Sequence, residues 1–205
     1  MRKGIGMICI LLGLVCMLAS VGLVIYNRTE SQSGAEYSQI LLQDVQGKVE
    51  EAAQLEHATE GAIPELWIET APKKMATVPA GDYESIGILS IPVLELELPV
   101  LTDWSYEKLK KAPCHYYGSC YETDFVIAAH NYPSHFGRLS ELRAGDLVLF
   151  TDAVGELHCY EVVLTETLPP TATEEMITSG FDLSLYTCTS GGSNRVTVRC
   201  NAVHG

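Results

Sequence analysis

Positive charge is scarce in this chain. Thirteen Lys and Arg face 26 Asp and Glu, for a formal net charge of −13 and a pI near 4.8. Nucleic-acid binding depends on neutralising phosphates, so a nucleic-acid partner is set aside. Metal-ligand spacing is also missing. There is no C-x-x-C and no H-x-x-x-H, and with them goes the local signature of a zinc site. No internal repeat or low-complexity tract occurs, which excludes repeat architectures. At 205 residues there is room for one ordinary domain plus appendages.

Charge is absent altogether between Gly4 and Tyr26, after Arg2 and Lys3. About 20 apolar residues span a bilayer as a helix, whereas the apolar part of a cleavable signal runs to about 7–15 and ends in a small-x-small site. "MLASVG" is a poor version of that site, and Gly13, Leu14 and Val15 fit lipoprotein processing at Cys16 badly. An uncleaved, single-pass anchor is therefore expected over residues 1–28. Two basic residues precede the run and only Arg28 closely follows it, so the expectation is a cytoplasmic N-terminus and an extracellular remainder. Cys9 and Cys16 belong to the anchor. Five cysteines lie outside it: Cys114, Cys120, Cys159, Cys188 and Cys200. In an exported domain an odd number leaves at least one thiol without an intramolecular partner. Cys114 with Cys120, and Cys159 with Cys200, are candidate bridges. Free, buried thiols are the expectation for most.

Residues 29–80 read as a helical stalk and then a linker. Tyr37, Leu41, Val45 and Val49 recur every four residues, an apolar helical stripe, and Pro64, Pro72 and Pro79 punctuate the linker. Residues 81–205 read as the catalytic-sized unit. "SIGILSIP", "LELELPVL", "DFVIAAH", "DLVLFTD", "ELHCYEVVLTETL" and the two arms of "LSLYTCTSGGSNRVTVRC" read as strands, and "DWSYEKLKKAP" as a short helix capped by Asp103 or Ser105. About eight short strands with one or two minor helices predict a mainly β, closed, eight-stranded barrel.

The last stretch carries the chemistry. With Thr189 to Asn194 as a turn, antiparallel pairing sets Cys188 opposite Arg195 and Ser184 opposite Arg199. The two arginines share a face but lie roughly 13 Å apart along the strand, so Arg195 is the one that reaches the thiol. A guanidinium beside a cysteine favours the thiolate and donates to an oxyanion, as acyl transfer requires. Six histidines are candidates for the proton carrier: His57, His115, His130, His135, His158 and His204. His130 is the best placed, since it ends a buried run and precedes the polar "NYPSH" loop. Residue types alone leave structural roles open for both Cys188 and His130.

From about Gly87 to Val203 the chain resembles the sortases, membrane-anchored cysteine transpeptidases of mainly Gram-positive bacteria. The family's T-L-x-T-C motif, followed by an arginine that opens the next strand, is matched by "SLYTC" at 184–188 and Arg195, with Ser184 in place of the first threonine. Its small-His pair is matched by Ala129-His130, and "HYYGS", "HFGRLSEL" and "GDLVLF" stand in family order. The resemblance implies an eight-stranded sortase barrel with Cys188 as nucleophile, His130 as acid and Arg195 as oxyanion donor. It further implies LPxTG-like sorting signals of secreted proteins as substrates, and an amine of a cell-wall precursor or a pilin lysine as acceptor. No cofactor is implied. Some members bind calcium in a loop, but Glu122, Asp124 and Glu141 read as ordinary solvated charges here. A single anchor without a C-terminal one points away from the pilin-polymerising type and toward class D-like or class B-like groups. Competing readings are a thiol hydrolase that releases surface peptides, and a non-catalytic, membrane-tethered β module.

Overall fold

The computed structural model describes residues 2–59 and 73–203. Pro64, Pro72 and His204 lie outside them, as does the side chain of His57. Helix α1 (Arg2–Thr59) is followed by strands β1 (Val78–Ala80), β2 (Tyr83–Ile91) and β3 (Leu96–Leu101), helix α2 (Tyr106–Leu109), and strands β4 (Cys114–Tyr117) and β5 (Phe125–Ala128). Then come β6 (Leu147–Asp152), β7 (Leu157–Leu168), helix α3 (Thr173–Ile177), β8 (Leu183–Cys188) and β9 (Arg195–Ala202). Neighbouring strands run in the order β1-β2-β3-β4-β5-β8-β9-β7-β6, and β6 pairs back onto β2. Strands β2 to β9 thus close the expected eight-stranded barrel. β1 is a short additional ribbon hydrogen-bonded to β2.

Closure needs β2 to serve two neighbours at once. Gly87 pairs with Val100 of β3 and Asp152 of β6 at a register shift, with φ of +147°. A Cβ there would sit 2.1 Å from the Thr151 carbonyl oxygen, so only glycine fits. Inside, Phe125, Ile127, Phe136, Phe150, Leu185 and Val198 form one apolar core. Leu98 and Val100 of "LELELPVL" point into it as their alternation predicts, and Leu94 does so from a 3₁₀ turn rather than a strand. Ser105, not Asp103, caps α2 by accepting from the Lys108 amide at 3.2 Å.

α1 is continuous, and its two halves differ. From Ile10 to Tyr26 its large apolar side chains are exposed, and the helix is long and apolar enough to cross a membrane. Further along, Leu41, Leu42, Val45 and Val49 are buried against Ala80, Ile88, Leu101, Ala112 and Cys114, forming a second apolar cluster outside the barrel. The stripe read from the sequence is thus a helix packed on the domain, although Tyr37 remains 37% exposed under Lys111. At Gly34 the approach is close, since a Cβ would lie 2.7 Å from the Lys110 carbonyl oxygen and 3.0 Å from the Tyr132 ring.

Of the acids read as solvated charges, Glu122 and Glu141 are exposed, and Asp124 departs from the expectation. One Asp124 carboxylate oxygen accepts from the Ser179 amide (2.7 Å), the Ser179 hydroxyl (2.9 Å) and the Gly180 amide (2.9 Å), so it shapes the approach to β8. Glu141 is held by the Arg138 guanidinium three residues back. All five cysteines outside the apolar half of α1 are free thiols, and Cys114, Cys120 and Cys200 are buried.

Candidate active site

Strand register brings two of the three sequence candidates, Cys188 and Arg195, together. β5 and β8 run parallel, pairing Phe125 with Leu183 through to Ala128 with Tyr186. Two further bonds extend the match: the Ala129 amide donates to the Tyr186 carbonyl at 3.2 Å, and the Thr187 hydroxyl donates to the Ala129 carbonyl at 2.9 Å. His130 follows directly after Ala129, two residues beyond the last paired position of β5. β8 and β9 are antiparallel, and Cys188 pairs with Arg195 as the turn arithmetic anticipates. Because Leu183, Leu185 and Val198 face the core, alternation puts Cys188, Arg195 and His130 on the outer face of the wall.

Cys188 and Arg195 open on one groove. Its floor includes Ala128 and Tyr186, one side is Trp104, Tyr106 and Tyr116, and the other is Pro169, Pro170 and Met176. The aromatic side is a connected stack, with Tyr116 edge-on to Tyr186 at 5.3 Å and Trp104 5.8 Å from Tyr116. Cys188 is exposed at the strand end. Arg195 donates Nη1 to the Gly192 (3.2 Å) and Asn194 (3.1 Å) carbonyls, which holds the guanidinium against the turn.

His130 does not line the groove. Its ring stacks on Tyr132 with centroids 4.1 Å apart, and Nδ1 lies 3.1 Å from Asn131 Oδ1. With the proton on Nδ1 donated to that oxygen, Nε2 presents its lone pair. Burial holds the imidazole below its usual pKa, and the Asn131 contact partly offsets this. The other histidines are tied elsewhere. Both His115 nitrogens face backbone carbonyls of Thr102 and Gly118, His135 is fully buried, and His158 faces Asp152. Cys120 also lies near a histidine and an acid, but burial pushes its thiol up to about 12, unsuited to a nucleophile.

Arg199 is the residue whose part sequence reasoning missed. It lies on the outer face of β9 yet is 2% exposed. Nε donates to Glu166 (2.8 Å), Nη1 to the Ser184 hydroxyl (2.8 Å), and Nη2 to the Glu175 carbonyl (2.7 Å). It therefore fastens α3, which carries the Met176 wall, to the barrel. Ser184, where the motif has threonine, is one of its anchors.

The fold defined by this barrel and groove is that of the sortases. Over residues 89–203 the chain matches the family model described as "Sortase domain". Among solved structures, sortase C1 from Streptococcus suis is 29% identical, with a TM-score of 0.51 over 59% of this chain and 74% of that one. A sortase D5 transpeptidase from Clostridium perfringens (16% identity, TM-score 0.59) covers 82% of this chain and 99% of that one. Sortase A from Corynebacterium diphtheriae (21% identity, TM-score 0.55) covers 90% and 96%. No curated protein sequence matches the chain. The family model spans more than half of the protein, and the chain belongs to the sortase family of cysteine transpeptidases.

Proposed function

We propose that this sortase cleaves an LPxTG-like sorting signal after its threonine and transfers the acyl group to an amine of the cell wall or of a pilin. The Cys188 thiolate attacks the threonine carbonyl, and Arg195 donates hydrogen bonds to the resulting oxyanion. As the tetrahedral intermediate collapses, His130 gives the departing amine the proton that its Nε2 took from the Cys188 thiol, and a thioacyl enzyme remains. The incoming amine then attacks the thioester, its proton passes to His130, and the Cys188 thiolate is released. What carries this reading is the pairing of Cys188 with Arg195 on one groove, with His130 two residues past the end of the neighbouring strand β5. Residues 1–28 serve as a single-pass anchor with a cytoplasmic N-terminus, and 81–205 as the extracellular catalytic unit, with the helical part of the 29–80 segment packed on that unit instead of standing off it as a free stalk. The exposed apolar side chains of α1 and the match to a membrane-anchored family support that arrangement.

The test is incubation of the full chain in detergent with a library of sorting-signal peptides, with and without an amine. An acyl adduct on Cys188 is expected in the mass spectrum, lost in Cys188→Ala, and Arg195→Ala should lower kcat/KM by about 10²–10³-fold. Product that forms equally fast without amine would support the hydrolase reading instead. No adduct with any peptide would overturn the proposal.

A further inference from the structure

Three side chains from separate elements converge at the end of the barrel away from Cys188. Cys120 comes from the β4–β5 loop, Asp152 ends β6 and His158 is near the start of β7, and one ligand atom of each lies within 4.8 Å of the others. The adjoining cavity, about 360 Å³, is lined by Cys120, Tyr121, His158 and Asp182. Asp182 immediately precedes β8, and Leu183 to Cys188 is five residues, so this cavity and the groove thiol are separated by about 17 Å of strand.

The arrangement is built rather than incidental. Asp152 is 2% exposed and its orientation is fixed: Oδ1 accepts from the Val154 (3.1 Å) and Glu156 (2.9 Å) amides, and Oδ2 from the Tyr121 hydroxyl (2.5 Å). His158 is braced by Tyr121 and Phe150, and its Nε2 stands 3.4 Å from Asp152 Oδ2. That is long for an N–H···O hydrogen bond, which clusters near about 2.9 Å. It matches the edge of about 3.3 Å between nitrogen and oxygen ligands, each about 2.0–2.1 Å from a tetrahedral zinc.

We propose that Cys120, Asp152 and His158 bind a divalent transition metal of the zinc type, with the fourth position open to the adjoining cavity. A mixed sulfur, nitrogen and oxygen set suits a borderline-soft ion, whereas calcium takes six to eight oxygens. Coordination through His158 Nε2 leaves the ring proton on Nδ1. The thiol proton is released to solvent, and thiolate plus carboxylate balance the two positive charges. Backbone amides and Tyr121 orient the carboxylate from behind, as outer partners of metal ligands do. The ion clips the β4–β5 loop to β6 and β7 where the chain enters the domain. There Lys73 pairs with Glu156 and lies 4.2 Å over the Tyr121 ring. No spacing rule flags this set, because the ligands are 32 and 6 residues apart (152 − 120 and 158 − 152) and meet only through the fold.

Full-length protein in detergent, carrying Cys188→Ala so that the groove thiol cannot bind metal, is loaded with zinc or cobalt(II) and dialysed. The expected result is one equivalent of metal, a thiolate-to-cobalt absorption band and a higher Tm. Cys120→Ser and His158→Gln, the second of which keeps a hydrogen-bond partner for Asp152, should each weaken binding about tenfold or more. Cys120→Ser should also abolish the band. Less than about a tenth of an equivalent in the parent, or binding undiminished in either folded variant, overturns the proposal. If Cys120→Ser fails to fold, His158→Gln and Asp152→Asn read the same outcome.

Discussion

One thiol differs from another here by where its strand ends. Cys114 and Cys200 sit wholly inside, where burial drives their pKa up to about 12. Cys188 occupies the last position of β8, on the outer face, with Arg195 across the ladder. The odd cysteine count shows that a thiol is left over but not which one, because exposure is a property of the barrel wall. Histidines divide in the same way. Burial holds His135 down at about 4, so it is neutral in the folded protein while its unfolded counterpart titrates near 6.5. The unfolded chain then binds the extra proton, so stability is complete above about pH 6.5 and is lost as pH falls toward 4. About 3 kcal/mol is at stake across that window. Denaturation midpoints of the full chain at pH 7 and pH 4 should show this loss, and His135→Leu should shrink the difference between the two pH values by a comparable amount. An unchanged difference would remove His135 from the account. The sequence places His135 in a loop and says nothing of its burial, since the cover comes from Tyr132 and from α1, about 100 residues earlier.

Among the elements, those with strong alternation or continuous apolar runs are legible, and those created by their neighbours are not. The β8–β9 register comes from arithmetic on one turn, and it holds residue by residue. β1 has three residues and β4 has four, and neither has a pattern of its own. β4 exists because one pairing to β3 and an antiparallel ladder to β5 hold it. "DFVIAAH" also ends earlier than it reads, with β5 stopping at Ala128 and His130 two residues beyond. The part played by Arg199 was illegible for a related reason. Two of its acceptors, the Glu175 and Met176 carbonyls, are backbone, and backbone leaves no mark in a sequence. Breaking that anchorage strands buried acceptors, and Arg199→Met should cost about 3 kcal/mol. Arg199→Lys keeps a charge but cannot fork to three partners. It should raise KM for the sorting peptide more than it lowers kcat, because α3 lines the groove and supplies no group to the proposed chemistry. Steady-state kinetics with chemical denaturation check both, and equal effects on kcat and KM would place Arg199 in the chemistry instead.

At the scale of the whole molecule, α1 carries the candidate membrane span and is also part of the folded body. Leu41 and Val45 are 2% and 0% exposed, and their partners are barrel residues. Burying a leucine or valine this fully makes truncation costly, about 2–5 kcal/mol for Leu→Ala. Leu41→Ala should therefore lower the thermal midpoint of the full chain. A fragment beginning at residue 81 should aggregate, because it exposes Ile88, Leu101, Ala112 and Cys114. One that retains residues from about 30 should stay monodisperse in size-exclusion chromatography. Equal behaviour of the two fragments would show that the helix contact is dispensable.

The same helix also sets a height. Tyr26 ends the apolar run, and Glu30, four residues or about 6 Å of helical rise later, is joined at 2.7 Å to Lys110 beside α2. With the apolar half in a bilayer, no slack remains between lipid and groove. The barrel is then carried on a short, rigid mount rather than on a flexible tether.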